Sequence, residues 1–305
     1  MMGINTPWPH SRRLSHCDGW ATMTNMKKLA AVILGVGLLA GCSSQPAPPS
    51  QSTEESPAPW SPEVYVALGD SYSAMGSTAL PLDPPNTCVR AQDSYPELLA
   101  KELDVETLAN VTCQGATTLD VLSSAGEHPP QVDALTPITD LVTLSIGGND
   151  ASFILMASCL ERGAQESTCQ QEHGQQIALE ISDLPRRLDV LYEELAKRAP
   201  NARVVATGYM PLITSTDDCA AIAPLAATDR QWLSQSIQDI NLAVADAAAR
   251  HGALFVLPDD AAQHTGCSPD PWVDFTGENT GSFPMHPTHA GQQAMADAVA
   301  RALSA

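Results

Sequence analysis

The sequence predicts an α/β fold: a three-layer α/β/α sandwich around a five-stranded parallel sheet in the flavodoxin-like order 2-1-3-4-5. Three observations predict it. Short apolar runs alternate with longer segments of helical periodicity, the pattern of a parallel sheet with helical crossovers. The first and third runs, Val64–Leu68 and Leu141–Ile146, are apolar enough to be covered on both faces. Three strand ends pass into glycine-containing polar turns, at Ser71, Gly115 and Asn149, and in a parallel sheet those ends share one edge.

In order, Val64–Leu68 leads directly into Gly69-Asp70-Ser71 and is the first, central strand. A loop follows through Met75 and the Pro-rich stretch 81–86, pinned at Cys88. Ser94–Leu103 reads as a helix, with Ser94 as N-cap and Glu97 at capping-box spacing. Val105–Val111 is the second strand and Thr118–Ser123 a short helix. The third strand, Leu141–Ile146, stops at Gly147-Gly148-Asn149-Asp150. Residues 151–174 read as an excursion closed by its own bridge between Cys159 and Cys169. Ile177, Ile181, Leu184, Leu188, Leu191 and Leu195 predict a long amphipathic helix over 175–198, kinked or broken at Pro185. Ala202–Tyr209 is the fourth strand, 229–251 a second long helix, Ala253–Leu257 the fifth strand, and 288–302 the last helix. Loops at 76–92, 151–174, 214–228 and 258–285 are left to shape a pocket.

The 305 residues include 35 acidic and 15 basic side chains, a formal net charge of −20. So acidic a chain argues against nucleic-acid partners and against long-range attraction to anionic lipid. Met26-Lys27-Lys28 precedes the apolar run Leu29–Ala40, too short to span a bilayer but suited to a signal peptide. Met23 or Met26 is the expected start. The run ends in Leu39-Ala40-Gly41-Cys42, which resembles a bacterial lipobox, so residues 1–41 are expected to be a leader and Cys42 a lipidated anchor to the membrane. The Pro/Ser-rich stretch 42–59 reads as a disordered tether, and 60–305 as one domain, monomeric and extracytoplasmic, in the cell envelope or secreted. Cys88, Cys113, Cys159, Cys169, Cys219 and Cys267 remain, and in an exported chain they read as disulfides. Several pairings are open; joining nearest neighbours (Cys88–Cys113, Cys159–Cys169, Cys219–Cys267) is the simplest. No Cys-x-x-Cys pair exists, and His264-x-x-Cys267 and His286-x-x-His289 stand alone, so no metal or cofactor is expected.

Ser71 lies where ligands bind in such sheets, but a serine hydroxyl is a poor nucleophile without a base and an oxyanion site. Its own backbone N–H at a strand-to-helix turn, the unobstructed N–H of Gly115 and the non-titrating amide of Asn149 are candidate oxyanion donors. His286, opening the last helix, is the candidate base. Asp70 reads as structural, holding the turn. His289 reads as a surface or supporting residue, and His128, His173, His251 and His264 as ordinary surface histidines.

Gly69-Asp70-Ser71-Tyr72-Ser73, Gly115, Gly147-Gly148-Asn149-Asp150 and His286-Pro287-Thr288-His289-Ala290-Gly291, in that order, resemble the GDSL, or SGNH, hydrolases. The resemblance spans essentially all of 60–305. It implies the SGNH hydrolase fold, Ser71 as nucleophile, His286 as base, and Ser71, Gly115 and Asn149 as the oxyanion hole. The cysteine spacing also resembles that of secreted actinobacterial esterases of this family with three sequential disulfides, which supports the nearest-neighbour pairing. Many members carry Asp three residues before the catalytic His, and here that residue is Phe283. The main-chain carbonyl of Phe283 is therefore expected to orient the imidazole, with Asp274 as the fallback third member. The expected activity is ester hydrolysis through an acyl-enzyme, on a short acyl ester, a lipid or an acetylated glycan. The alternatives are an acyltransferase or O-deacetylase on envelope glycans, and a non-catalytic lipoprotein that binds glycan or lipid.

Overall fold

A computed structural model describes residues 60–82, 87–162 and 168–305. The expected leader 1–41, Cys42, the tether 42–59 and parts of two loops lie outside the described residues. Five strands form where the apolar runs stand: β1 (Val64–Gly69), β2 (Thr107–Asn110), β3 (Leu141–Ser145), β4 (Arg203–Thr207) and β5 (Leu254–Val256). All pairs are parallel, and the order is β2-β1-β3-β4-β5, as the sequence predicts. β2, β4 and β5 are shorter than their apolar runs.

The helices are α1 (Ser71–Ala74), α2 (Tyr95–Glu102), α3 (Thr118–Leu122), α4 (Phe153–Arg162), α5 (Cys169–Arg198), α6 (Ala227–Arg250) and α7 (His289–Ser304). Alternation along the strands sends side chains to two cores. Val66, Leu68, Val142 and Leu144 pack with Leu184, Leu188 and Leu191 of α5 and Ile240 and Val244 of α6. Tyr65, Ala67, Leu141 and Val205 pack with Leu99 of α2 and Met295 and Val299 of α7. These are the two outer layers of the sandwich. Among the described residues, no helix is long and apolar enough to cross a membrane.

Pro185 lies inside α5 and does not break it. Its neighbours Leu184, Leu188 and Leu191 are fully buried. Burying each contributes about 1.5–3 kcal/mol, enough together to offset the roughly 3 kcal/mol cost of a helical proline. α5 also begins earlier than its apolar periodicity. Thr168 caps it by accepting from Gln171 N, and Asp229 of α6 accepts from the first-turn N–H groups of Cys169 and Gln170 at 3.0 Å each. Ser94 flanks α2 but makes no side-chain cap, and its buried hydroxyl has no partner. Pro96 offers no N–H there, Gln292 takes Tyr95 N, and the Glu97 carboxylate turns to Asn110. The three bridges are Cys88–Cys113, Cys159–Cys169 and Cys219–Cys267.

Candidate active site

The carboxyl ends of β1 and β3 are held side by side. Asp70 N donates to Ser145 O at 2.8 Å, and Gly69 pairs with Ser145. Gly69 has φ +141°, and a Cβ on it would meet Ser145 O at 2.3 Å, so only glycine lets the strands close here. Gln131 clamps this glycine from the side: Gly69 N donates to Gln131 Oε1 at 2.7 Å and Gln131 Nε2 donates to Gly69 O at 2.9 Å. Beyond it, Ser71 opens α1, where a first-turn N–H has no partner within the helix. Gln292 of α7 fixes the far end of α1 by donating to Tyr72 O and Met75 O.

Ser71 Oγ lies 2.8 Å from His286 Nε2. The ring's other nitrogen, Nδ1, lies 2.7 Å from Pro284 O. A carbonyl only accepts, so Nδ1 carries the hydrogen and the Nε2 lone pair faces the serine. The oriented partner is thus one residue along from the expected Phe283, whose carbonyl instead accepts from His286 backbone N at 3.2 Å. The backbone turns sharply here, with Met285 at φ +60°. That turn spends the Phe283 carbonyl on the main chain and leaves Pro284 O for the imidazole. Asp274 does not reach the ring either. Its carboxylate accepts from Thr280 Oγ1 at 2.8 Å and Thr276 N at 3.1 Å, bracing the loop that carries the histidine. The backbone bonds Met285 N to Asp274 O and Asp274 N to His286 O tie the two segments together. Burial lowers the His286 pKa below the ordinary 6.5, opposed by the Pro284 carbonyl, so the ring is neutral at pH 7.

Gly115 (φ +74°) and Asn149 line the same cleft as Ser71 and His286. One hydrogen of the Asn149 amide is held by Ala116 O at 2.9 Å, which leaves the second to donate elsewhere. The Asn149 turn is anchored below by Asp150, which accepts from Thr118 N and Oγ1 at 2.9 and 2.6 Å and from Arg187 at 3.2 Å. His289 lies apart from the cleft chemistry and bonds Asp93 at 3.0 Å. His264 stacks on Trp272, and His251 stacks on Tyr192.

The sequence reading missed Tyr209. Its buried hydroxyl donates to Asp70 Oδ2 at 2.6 Å and accepts from Gly148 N at 2.8 Å. It therefore bridges the nucleophile turn to the asparagine turn. Asn241 of α6 grips its backbone through both amide atoms, at 2.8 and 2.9 Å. Asp70 also accepts from Tyr72 N at 3.0 Å. Burial nevertheless raises its pKa from 3.8 to about 7, with the two hydrogen bonds opposing. The one readable signal was position, since Tyr209 lies two residues beyond the end of β4 at the same sheet edge. Gln131 and Gln292 carried no comparable signal.

From Ser71 the cleft deepens into an apolar chamber of about 250 Å³. Its walls include Phe153, Met156 and Leu160 of α4, Leu212 after β4, and Leu233 and Ile237 of α6. The Cys159–Cys169 bridge joins α4 to the start of α5. A group of metal-ligating atoms also occurs away from the cleft, at Cys88, Cys113 and His128, but both sulfurs are spent in a disulfide.

The GDSL-like lipase/acylhydrolase family model matches residues 67–294, which contain every residue of the cleft described above. A Streptomyces coelicolor protein named Lipase 2 is 38% identical over 253 residues, covering 76% of this chain and 83% of its own. A Streptomyces rimosus lipase is 36% identical over 236 residues, covering 75% and 82%. Among solved structures, the extracellular lipase of Streptomyces rimosus superposes with a TM-score of 0.66 at 32% identity, covering 78% of this chain and 98% of that one. Phospholipase A1 of Streptomyces albidoflavus gives 0.63 at 31% identity, covering 80% and 100%.

Proposed function

We infer that this chain, which belongs to the GDSL-like lipase/acylhydrolase family and is a carboxylic ester hydrolase, works through an acyl-enzyme on Ser71. The observation that carries this reading is the 2.8 Å approach of Ser71 Oγ to a His286 ring whose tautomer is set by Pro284 O. His286 takes the Ser71 proton as the oxygen attacks the ester carbonyl. The resulting oxyanion is held by the N–H groups of Ser71 and Gly115 and the amide of Asn149. As the tetrahedral intermediate collapses, the ester C–O bond breaks and the imidazolium gives its proton to the leaving alcohol. Water, deprotonated by the same ring, then releases the acid. The machinery is a Ser-His dyad with a backbone carbonyl in place of a third carboxylate.

The chamber sets the acyl preference. A water's share of liquid volume is about 30 Å³ and a methylene is of similar size, so about 250 Å³ takes roughly eight such groups. Medium-chain acyl esters are therefore the substrates this reading favours over acetyl esters. We further propose that residues 1–41 are a leader, that Cys42 carries a lipid anchor, that 42–59 is a tether, and that 60–305 is the catalytic domain. The supporting pattern is Leu39-Ala40-Gly41-Cys42 after an apolar run. Replacing Cys42 by Ala is expected to move the protein from the membrane fraction to the medium, and an unchanged distribution would refute the anchor.

The test of the chemistry is hydrolysis of p-nitrophenyl acetate, butyrate, octanoate and palmitate by the wild type beside Ser71→Ala. The expected result is an optimum near octanoate and loss of turnover in the variant. Equal turnover by both proteins would refute the assignment of Ser71.

A further inference from the structure

A second cavity, of about 480 Å³, shares Gln114 and Gly115 with the acyl chamber. Its size falls within the roughly 300–1,000 Å³ usual for small-molecule sites. A Cβ added to Gly115 would meet nothing within 4 Å, so the ridge between the two spaces is open. The character of this cavity differs from that of the chamber. Arg90 lies half-buried in its wall, with Nη1 donating to Thr112 O at 3.0 Å. Among the described residues Arg90 forms no ion pair, and most of its five N–H donors are uncommitted. Glu97 acts on this half-buried guanidinium only from beyond ion-pair distance, so its donors stay spare, and its planar fork matches phosphate oxygens. The same cavity carries the carboxylates of Asp120 and Asp133. Asp120 accepts from Thr117, and Asp133 pairs with Arg198 at 2.9 Å, so both are fixed in place. Both signs of charge thus occur in one space, on a chain whose net charge of −20 disfavours a purely anionic lipid surface.

We propose that this cavity is the leaving-group site for the zwitterionic headgroup of a glycerophospholipid, with the phosphate on Arg90 and the ammonium toward Asp120 and Asp133. The assignment rests on the reading above, in which Gly115 serves the oxyanion and the acyl chain fills the chamber. The alcohol that departs is then a lysophospholipid, which takes its proton from His286. Binding energy from the headgroup, remote from the reacting bond, is available to position the ester.

The test compares kcat/KM on dioctanoylphosphatidylcholine with kcat/KM on 1,2-dioctanoylglycerol, which has the same acyl chains and no phosphate. Arg90→Gln is expected to lower the ratio of the two by about tenfold or more, the loss of one charge-assisted contact. Arg90→Lys restores part of the ratio, because it keeps the charge without the fork. Ala125→Trp, which fills the cavity from its loop and leaves the Arg90–Thr112 bond untouched, lowers the ratio likewise. The ratio cancels any loss of folded protein. An unchanged ratio in both Arg90→Gln and Ala125→Trp, with diacylglycerol still hydrolysed, overturns the headgroup site alone. Inhibition of dioctanoylglycerol turnover by inorganic phosphate, dependent on Arg90, would assign the cavity to free phosphate and also overturn it. Failure of the wild type to hydrolyse either substrate overturns the ester-hydrolase reading itself.

Discussion

Asp70 is a carboxylate sealed beneath the nucleophile, and replacing it by Asn isolates what its charge does. Its pKa stands at about 7 in the fold against an ordinary 3.8. The folded protein therefore holds this proton more tightly than the unfolded chain does. Well below pH 3.8 both states are protonated and the group is neutral with respect to stability. As pH rises from about 4 to about 7, the unfolded chain ionises first, and stability falls; above 7 the loss is complete. At 1.36 kcal/mol per unit, a rise of about three units makes ionised Asp70 cost the fold on the order of 4 kcal/mol. Asp70→Asn keeps the shape and an acceptor for Tyr72 N but never ionises. Urea denaturation of both proteins at pH 4, 5, 6, 7 and 8 reads the difference in unfolding free energy, in which all other titrations cancel. The variant is expected to gain on the wild type by several kcal/mol between pH 4 and pH 8, after an initial deficit from disturbing the Tyr209 bond. A difference that stays within about 1 kcal/mol over that range would show that the buried charge is not strained and that the reasoning from desolvation is wrong.

Tyr209→Phe removes the hydroxyl that joins Asp70 to Gly148, leaving a buried N–H unpaired; it is expected to lower stability by about 2–4 kcal/mol and to lower kcat more than it raises KM. Urea midpoints and p-nitrophenyl octanoate kinetics check it, and a normal kcat would confine Tyr209 to folding. Asn149→Ala is expected to reduce kcat by about 10²–10³-fold with KM little changed, as removal of one oxyanion donor does. Because His286 must be neutral to act and burial lowers its pKa, kcat/KM should be lost as pH falls, along a limb centred below 6.5. The same limb should persist in Asp70→Asn, and a limb that vanishes there would reassign it to the carboxylate. Asp274→Asn keeps an acceptor for Thr280 and is expected to cost less than about tenfold in kcat/KM, since Asp274 braces the loop and does not touch the ring.

The sheet was legible because buried parallel strands are written as local apolar runs, and the nucleophile, asparagine and histidine turns because each follows such a run or opens a helix. What escaped was long-range. Tyr209 meets Asp70 across 139 positions and Gln131 meets Gly69 across 62, and neither pairing leaves a periodicity. The start of α5 was hidden because its cap comes from Asp229 on another helix. The imidazole's partner was misplaced by one residue because a single positive φ at Met285 rotates the peptide that faces the ring. Ser94 failed as a cap because Pro96 has no N–H to give and Tyr95 N is taken by Gln292. α4 was missed because it follows a polar turn, carries Cys159 within it, and turns Phe153, Met156 and Leu160 to the chamber.

The Gly69–Ser145 register has a wider consequence. Neighbouring strands in any sheet stand about 4.7–4.9 Å apart, a spacing set by peptide hydrogen bonds and indifferent to side-chain identity. The serine and the asparagine inherit their separation from that ruler, whereas the acyl chamber is bounded by helices and loops that no ladder fixes. Chain-length selectivity can therefore be recut by substitutions in α4 and α6 while the reacting atoms keep their distances, so this scaffold separates what it recognises from how it reacts.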